Sequence, residues 1–183
     1  MRSMLVLAAA TLFSASPAKA EVTASSEAGF VTRHEAQVAA APMDLWKMAV
    51  APAQWWNGDH TYSGNAANMA IDAAPGGCFC ETIPDGTGTP AGAIEHMRVL
   101  YAAPGTVLRL SGGLGPLQSE AVTGVLTITF EPAGEGTRMV WEYVVGGYSR
   151  LPAERTAQLV DAVVGEQFQR LVDRAATGQP SGG

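Results

Sequence analysis

Asp59 and His60 form one polar group that could do chemistry, because they lie three and four residues after Trp56 of the pair Trp55-Trp56. Histidine changes its charge near neutral pH, so His60 could act as a general base or bind a ligand at the mouth of a cavity. The alternative is a loop histidine that hydrogen-bonds only to its own neighbours. The sequence alone does not decide between a functional histidine and a loop histidine.

Glu81, Glu95 and His96 form a second polar group. Phe79 and Glu81 share one face of a predicted strand, so Glu81 points toward the cavity if Phe79 points into the core. On the next strand the same alternation predicts Glu95 inward and His96 outward, unless a β-bulge reverses the register. A buried carboxylate pair would raise one pKa and could do acid/base work, and with His60 it could bind a divalent metal ion. The alternative is a set of exposed polar side chains.

Arg109 lies among apolar residues in a predicted strand over 106–110. Such an arginine either forms an outward salt bridge, for example with Glu131 or Glu142, or anchors the anionic head of a bound ligand. The outward salt bridge is the favoured interpretation.

Aromatic residues near these groups could form the wall of a site for a flat or acyl ligand, although core packing alone would also explain them. The candidate ligand-binding residues are therefore Trp55, Trp56, His60, Phe79, Glu81, His96, Arg109 and Trp141. The candidate catalytic residues are His60, Glu81 and Glu95. No metal ligand set and no cofactor is assigned.

Cys78 and Cys80 are the two cysteines of the chain. On a regular strand, the Cα atoms of residues i and i+2 lie about 7 Å apart, which is at the edge of disulfide geometry. We therefore expect two small strand residues rather than an intramolecular disulfide. The four-cysteine spacing of structural zinc sites is absent.

The first 20 residues read as a signal peptide. Arg2 is followed by an apolar run over residues 4–13, and Ala18-Lys19-Ala20 is typical of a cleavage site, which predicts a mature start at Glu21. The apolar run is too short for a membrane span, and no later segment is long enough. We expect an exported, periplasmic or secreted protein without a membrane span after cleavage.

Charge excludes one class of partner. The predicted signal peptide carries two of the 11 basic side chains and none of the 17 acidic ones, so the remaining chain is strongly acidic. An acidic chain without lysine or arginine clusters argues against nucleic-acid binding.

Alternation and turn residues predict the order β, α, α, several β, then one long helix. A flexible lead-in is expected over 21–29, one domain over 30–176 and a disordered tail over 177–183. Strands are predicted over 30–39, 68–73, 78–83, 93–101, 106–110, 122–130 and 137–145. Two short helices follow the first strand, one over 42–50 and a second short turn or helix over 55–58, and the long closing helix begins near residue 152.

Strands joined by short Gly/Pro turns must be antiparallel, and one face of their sheet needs a cover. The closing amphipathic helix is the only element large enough to provide it. The predicted fold class is therefore α+β, a curved antiparallel sheet wrapped around a long C-terminal helix, with a ligand cavity between them.

Several segments carry a resemblance to a known superfamily. They are APMDLW at 41–46, the Trp55-Trp56 pair, PGGCFCE at 75–81, and 99–110 with Pro104-Gly105 and Leu108-Arg109-Leu110. With this order of elements, the chain resembles the START-like helix-grip (SRPBCC) superfamily, nearest to its branch of heat-shock-protein-90 ATPase-activator-like proteins and polyketide cyclases. The resemblance covers about residues 30–176. It implies a helix-grip fold with a cavity for lipids or aromatic compounds, and in some members enzymatic or cochaperone activity.

Three functions follow as hypotheses. The favoured one is a monomeric protein that binds a hydrophobic or aromatic small molecule without transforming it. The second is a cyclase- or hydrolase-type enzyme that uses His60 with Glu81 or Glu95 as acid and base. The third is a protein-interaction domain like the cochaperones. The sequence contains no Gly-Lys-Ser/Thr phosphate loop, no Gly-x-Ser-x-Gly and no His-Glu-x-x-His, so ATP hydrolysis in particular has no support.

Overall fold

Eight antiparallel strands form one sheet in the computed structural model, which describes residues 19–182. Most of the predicted signal peptide, residues 1–18, lies outside the described residues. The strands are β1 Lys19–Ser26, β2 Gly29–Val38, β3 Met69–Ile71, β4 Cys78–Pro84, β5 Pro90–Ala103, β6 Val107–Ser111, β7 Ala121–Ala133 and β8 Gly136–Tyr148. Their order across the sheet is β1-β2-β8-β7-β6-β5-β4-β3.

A long helix, α2 (Ala153–Thr177), covers the inner face of the curved sheet and packs mainly against β1 and β2. Its buried apolar stripe includes Ala157, Val160, Val164, Phe168 and Leu171, the spacing expected for one helical face. Gly178 ends the helix in the left-handed conformation. The predicted α+β helix-grip class is confirmed.

The first helix, α1, spans Pro42–Ala49 and places Leu45 and Trp46 in the core. Proline suits its first position, because the missing N–H would have no partner inside the helix. Three single turns of 3₁₀ helix follow at Pro52–Gln54, Gly58–His60 and Ala66–Asn68. These turns lead the chain back to the far edge of the sheet.

The start of the described chain is a strand and not a flexible lead-in. Residues 21–29 contribute most of β1 and the turn into β2, and Glu21 pairs with Arg33 in the antiparallel register. The side chains of this stretch are small and largely exposed, which hides the strand from a hydrophobic pattern. The prediction of a lead-in over 21–29 was wrong.

The end of the chain also differs from its prediction. The Arg170 guanidinium donates hydrogen bonds to the carbonyl groups of Ser181 and Gly182, and its Nε donates to the Trp55 carbonyl at 2.8 Å. The segment after α2 therefore folds back along the helix, where the sequence predicted a disordered tail.

Cys78 and Cys80 form a disulfide, contrary to the sequence expectation. Their Cα atoms lie 5.3 Å apart, which is within the range that a disulfide spans. The register between β4 and β5 shifts at this point, because His96 of β5 is an extra residue opposite Phe79 and Cys80. The expectation assumed a fully extended strand.

Tyr143 holds the segment between β6 and β7 against the sheet. Its hydroxyl donates to the Gly112 carbonyl at 2.9 Å and accepts from the Leu114 amide at 3.2 Å. Gly124 faces this hydroxyl, and a Cβ atom there would lie 2.3 Å from it.

Neither helix within residues 19–182 combines the length and apolar character that crossing a membrane requires.

Gly124→Ala is expected to lower the free energy of unfolding by about 1–3 kcal/mol, because the new methyl group forces Tyr143 away from its hydrogen bonds. Urea unfolding followed by tryptophan fluorescence measures the change. Gly92→Ala in β5 is the matched control, since nothing lies within 4 Å of the added Cβ. Equal effects of the two substitutions would contradict the role given to Tyr143.

Candidate functional site

A cavity of about 410 Å³ lies between α2, the loops after α1 and the segment that precedes β7. Small-molecule sites in proteins have volumes of about 300–1,000 Å³, so this cavity has the size of one. Its lining is mostly apolar. The lining residues are Trp56, Asp59, His60, Thr61, Tyr62, His96, Leu114, Gly115, Pro116, Leu159, Val160, Val163 and Val164.

His96 is a buried polar side chain in this wall, with 5% of its surface exposed. Its Nε2 lies 3.0 Å from Oε2 of Glu81, which is fully buried on the neighbouring strand. The two residues meet because of a β-bulge. Phe79 pairs with Met97 and Cys80 pairs with Glu95, which leaves His96 as the extra residue and turns both His96 and Met97 inward.

The Glu81 carboxylate is surrounded by hydrogen-bond donors. The Tyr62 amide donates to Oε2 at 3.0 Å, the Ser63 amide donates to Oε1, and His96 donates to Oε2. Burial raises the pKa of Glu81, but these hydrogen bonds outweigh burial and hold the pKa below its usual value. Glu81 is therefore ionised at neutral pH, and it fixes the loop that carries Tyr62.

The protonation state of His96 follows from this pairing. Burial lowers the pKa of His96 by more than Glu81 raises it, so the imidazole is neutral at pH 7. An ionised carboxylate only accepts hydrogen bonds, so Nε2 carries the proton and Nδ1 is an acceptor. Within residues 19–182, the His96 ring hydrogen-bonds through Nε2, and Nδ1 has no hydrogen-bond partner. A ligand with an O–H or N–H group could supply one.

His60 forms a second histidine–carboxylate pair at the mouth of the cavity. Its Nε2 lies 3.0 Å from Oε2 of Glu166 on α2, and the Asn57 side-chain amide donates to the other oxygen of the same carboxylate. The Asn57 backbone amide donates to Oε1 of the buried Gln167 at 2.8 Å. Burial raises the pKa of Glu166, but Asn57 and His60 outweigh it and lower the pKa. This network joins the mouth loop to α2.

A third pair, His34 and Asp161, lies outside the cavity between β2 and α2. His34 is almost fully buried, and its Nε2 is 3.1 Å from Oδ1 of Asp161. A Cβ atom at Gly165 would lie 2.8 Å from the His34 ring, so this glycine makes room for it. Sequence reasoning missed this pair, although the alternation of β2 already placed His34 on the same face as Ala36 and Val38.

Seven of the eight predicted ligand-binding residues divide into three groups. Trp56, His60 and His96 line the cavity. Phe79 and Glu81 lie directly behind His96, and the Phe79 ring centroid is 5.1 Å from that of His96. Trp55 and Trp141 belong to the core, where their rings pack edge to face at 5.8 Å.

Two predicted site residues point away from the cavity. Glu95 lies on the outer face of β5 and forms a salt bridge with Arg98. The orientations of Glu95 and His96 are therefore those of the β-bulge alternative and not those of strict alternation. Arg109 is exposed on β6, and its Nε donates to the Thr127 hydroxyl at 3.1 Å. It contacts neither Glu131 nor the cavity.

Asn57, Tyr62 and Glu166 were not predicted, and they contribute as much to the site as the residues that were. Asn57 and Glu166 hold His60, and the Tyr62 amide holds Glu81. The Asn-Gly turn at 57–58 was the available signal for Asn57. Within residues 19–182, no three His, Cys, Asp or Glu side chains come together as a metal-binding set.

Comparisons with known proteins support the fold alone. No protein-family model matches the chain, and no curated protein matches it. Solved structures do match. A conserved protein of unknown function from Enterococcus faecalis has a TM-score of 0.58 and 14% identity, with 87% of this chain and 78% of that chain covered.

Two further structures are similar over most of their length. A putative uncharacterised protein from Rhizobium leguminosarum has a TM-score of 0.53 and 19% identity, with 87% of this chain and 99% of that chain covered. The Aha1 dimer from Colwellia psychrerythraea has a TM-score of 0.52 and 11% identity, with 80% of this chain and 96% of that chain covered. These likenesses agree with the helix-grip fold.

The lowered pKa of His96 predicts how stability changes with pH. Below about pH 6.5 His96 takes up a proton in the unfolded chain, but burial disfavours this proton in the folded chain. The contribution of His96 to the free energy of unfolding is therefore complete above this pH and is lost as the pH falls below it. We expect the urea midpoint of the protein to decrease between pH 7.5 and 5.5, and to decrease less in His96→Gln.

His60→Gln is the control, because it leaves the contact between His96 and Glu81 in place. Some pH dependence remains in His96→Gln, since burial also lowers the pKa of His34. A midpoint that falls equally in the protein and in His96→Gln would contradict the assignment.

Proposed function

We propose that this chain binds a hydrophobic or aromatic small molecule in the cavity beside α2, and that an O–H or N–H group of the molecule donates a hydrogen bond to Nδ1 of His96. The observation that carries the proposal is a buried, neutral histidine in the wall of a largely apolar cavity of about 410 Å³. An apolar pocket with one placed polar group is typical of small-molecule sites.

The apolar walls supply the affinity in this proposal. On one side Leu159, Val160 and Val163 project from α2, and on the other side Trp56 and Leu114 face them. Each buried methylene group of a ligand contributes about 0.8 kcal/mol. A flat or acyl molecule would therefore gain most of its binding energy from these walls.

The polar pair supplies the selectivity. Glu81 fixes the ring orientation of His96 and its tautomer, so the acceptor at Nδ1 is present before any ligand arrives. A buried acceptor that a ligand leaves without a partner costs about 1–3 kcal/mol. Molecules with a donor at this end are favoured over molecules of the same shape without one.

A second candidate function, acid/base catalysis, rests on the same pair. A neutral histidine held by a buried carboxylate is the arrangement of a general base, and His96 with Glu81 has it at 3.0 Å. The catalytic hypothesis from the sequence changes accordingly. Glu95 lies outside the cavity, and His60 is paired with Glu166 instead of Glu81. Binding is preferred, because the cavity holds no nucleophilic side chain in hydrogen-bond contact with His96.

We also propose that the chain belongs to the START-like superfamily, near the ATPase-activator-like and polyketide cyclase branch, and that it is exported as a monomer. The motifs at 41–46 and 75–81 support the superfamily, and the signal-like segment supports export. The monomer is the default expectation. The interaction-domain alternative has only the likeness of fold to the Aha1 dimer in its favour.

Native mass spectrometry of the protein from its host's exported fraction tests function and export together. We expect a polypeptide that begins at Glu21 and carries one small molecule that organic extraction removes. The extracted molecule is then returned to the empty protein. Recovery of an unchanged mass supports binding, and recovery of a changed mass supports catalysis instead. A polypeptide that keeps residues 1–20 would contradict the predicted cleavage.

Val163→Trp is expected to fill the cavity and to weaken binding of N-phenyl-1-naphthylamine, an apolar fluorescent probe, by about ten-fold or more, which corresponds to about 1.4 kcal/mol. Fluorescence titration gives the dissociation constants. Gln158→Trp adds the same side chain to an exposed position of α2 outside the cavity and is the matched control. Equal weakening by both variants would place the probe elsewhere.

The hydrogen bond to His96 is tested with two probes of nearly the same shape, 1-naphthol and 1-methoxynaphthalene. Only the naphthol can donate to Nδ1, so we expect it to bind about three- to ten-fold more tightly, as one hydrogen bond predicts. His96→Phe should remove this preference while it keeps the affinity for the methoxy compound. A preference that survives in His96→Phe would show that another group receives the donor.

A further inference from the structure

The disulfide between Cys78 and Cys80 joins two residues of one strand that β3 and β5 already hold in place. A disulfide stabilises a fold mainly by closing a loop in the unfolded chain, and the stabilisation grows with loop length. Here the closed loop contains a single intervening residue, Phe79. The disulfide therefore contributes little to the stability of the fold.

The two sulfur atoms have different electrostatic surroundings. Cys78 pairs with Arg98 across the ladder and Cys80 pairs with Glu95, and such cross-strand partners share a face of the sheet. Arg98 and Glu95 form a salt bridge with each other, and its positive end lies opposite Cys78. Both cysteines are partly exposed, while Phe79 between them is buried. A cation beside a sulfur stabilises its thiolate and makes that sulfur the better leaving group.

We propose that Cys78–Cys80 is a thiol–disulfide exchange site, in which an external thiol attacks Cys80 and Cys78 leaves. This proposal is independent of the small-molecule function. The chemical class of its reaction partner is a small thiol such as glutathione, or an accessible thiol of another protein.

The exchange proceeds in two balanced steps. A thiolate of the external compound forms a bond to Sγ of Cys80, the bond between Cys80 and Cys78 breaks, and its electron pair remains on Sγ of Cys78. A second external thiolate then attacks the external sulfur of the mixed disulfide and releases Cys80 as a thiolate. Two external thiols become one disulfide, and the protein gains two electrons and two protons as a dithiol. The reverse sequence reoxidises the pair.

The position of Phe79 allows the redox state of the cysteine pair to be followed by fluorescence. Its ring contacts Trp56 at a centroid distance of 5.4 Å, so a change of the pair on either side of Phe79 should alter tryptophan fluorescence without unfolding. This signal distinguishes reduction of the native protein from reduction of an unfolded fraction.

The experiment equilibrates the purified protein with reduced and oxidised glutathione, quenches it with acid, blocks free thiols with N-ethylmaleimide and maps the peptides by mass spectrometry. We expect reversible conversion between disulfide and dithiol with an unchanged circular dichroism spectrum. The trapped intermediate should carry glutathione on Cys80 and N-ethylmaleimide on Cys78, in about five-fold excess over the opposite arrangement.

Arg98→Gln is expected to reduce this excess to about two-fold or less, because it removes the positive end of the salt bridge opposite Cys78. Lys47→Gln, at an exposed position of α1, removes a cation far from β4 in sequence and is the matched control. Reduction that occurs only in urea would overturn the proposal, as would equal adducts on the two cysteines. Failure of the Cys78→Ser/Cys80→Ser protein to fold would show instead that the disulfide is a structural staple.

Discussion

A carboxylate that is removed from water is tolerated only if its oxygen atoms receive hydrogen bonds in the fold. Glu81 meets this condition with donors from Tyr62, Ser63 and His96. Each of these hydrogen bonds fixes the position of the group that donates it. The two amides fix the loop that leads from the mouth of the cavity to β3, and the imidazole fixes the wall of the cavity. The site is therefore organised around one buried negative charge.

The β-bulge in β5 makes this arrangement possible. Strict alternation would send His96 outward together with the exposed faces of the strand, and Glu81 would lack its third donor. Because two residues of β5 stand opposite one residue of β4, His96 and Met97 are both directed inward. Met97 then contributes to the core while its neighbour contributes to the cavity.

The sequence predicted the parts of the fold that depend on strong periodicity. The stripe of α2, the proline at the start of α1 and the strands from β4 to β8 carry apolar patterns that only one arrangement satisfies. It did not predict β1, whose residues are small and exposed. It left the bulge open as an alternative, because a bulge is a property of two paired strands together. The partners of His60 and Glu81 come from residues 15 to more than 100 positions away, so predicting them required the assembled structure.

Different residues of helix α2 pack against the sheet and border the cavity. Phe168 and Leu171 face the sheet and are fully enclosed, whereas Leu159 and Val163 border the cavity and keep part of their surface open. Substitutions at the second pair change the shape of the cavity but touch little of the core. Such a division allows relatives of this chain to acquire different ligand preferences in evolution while the scaffold stays the same.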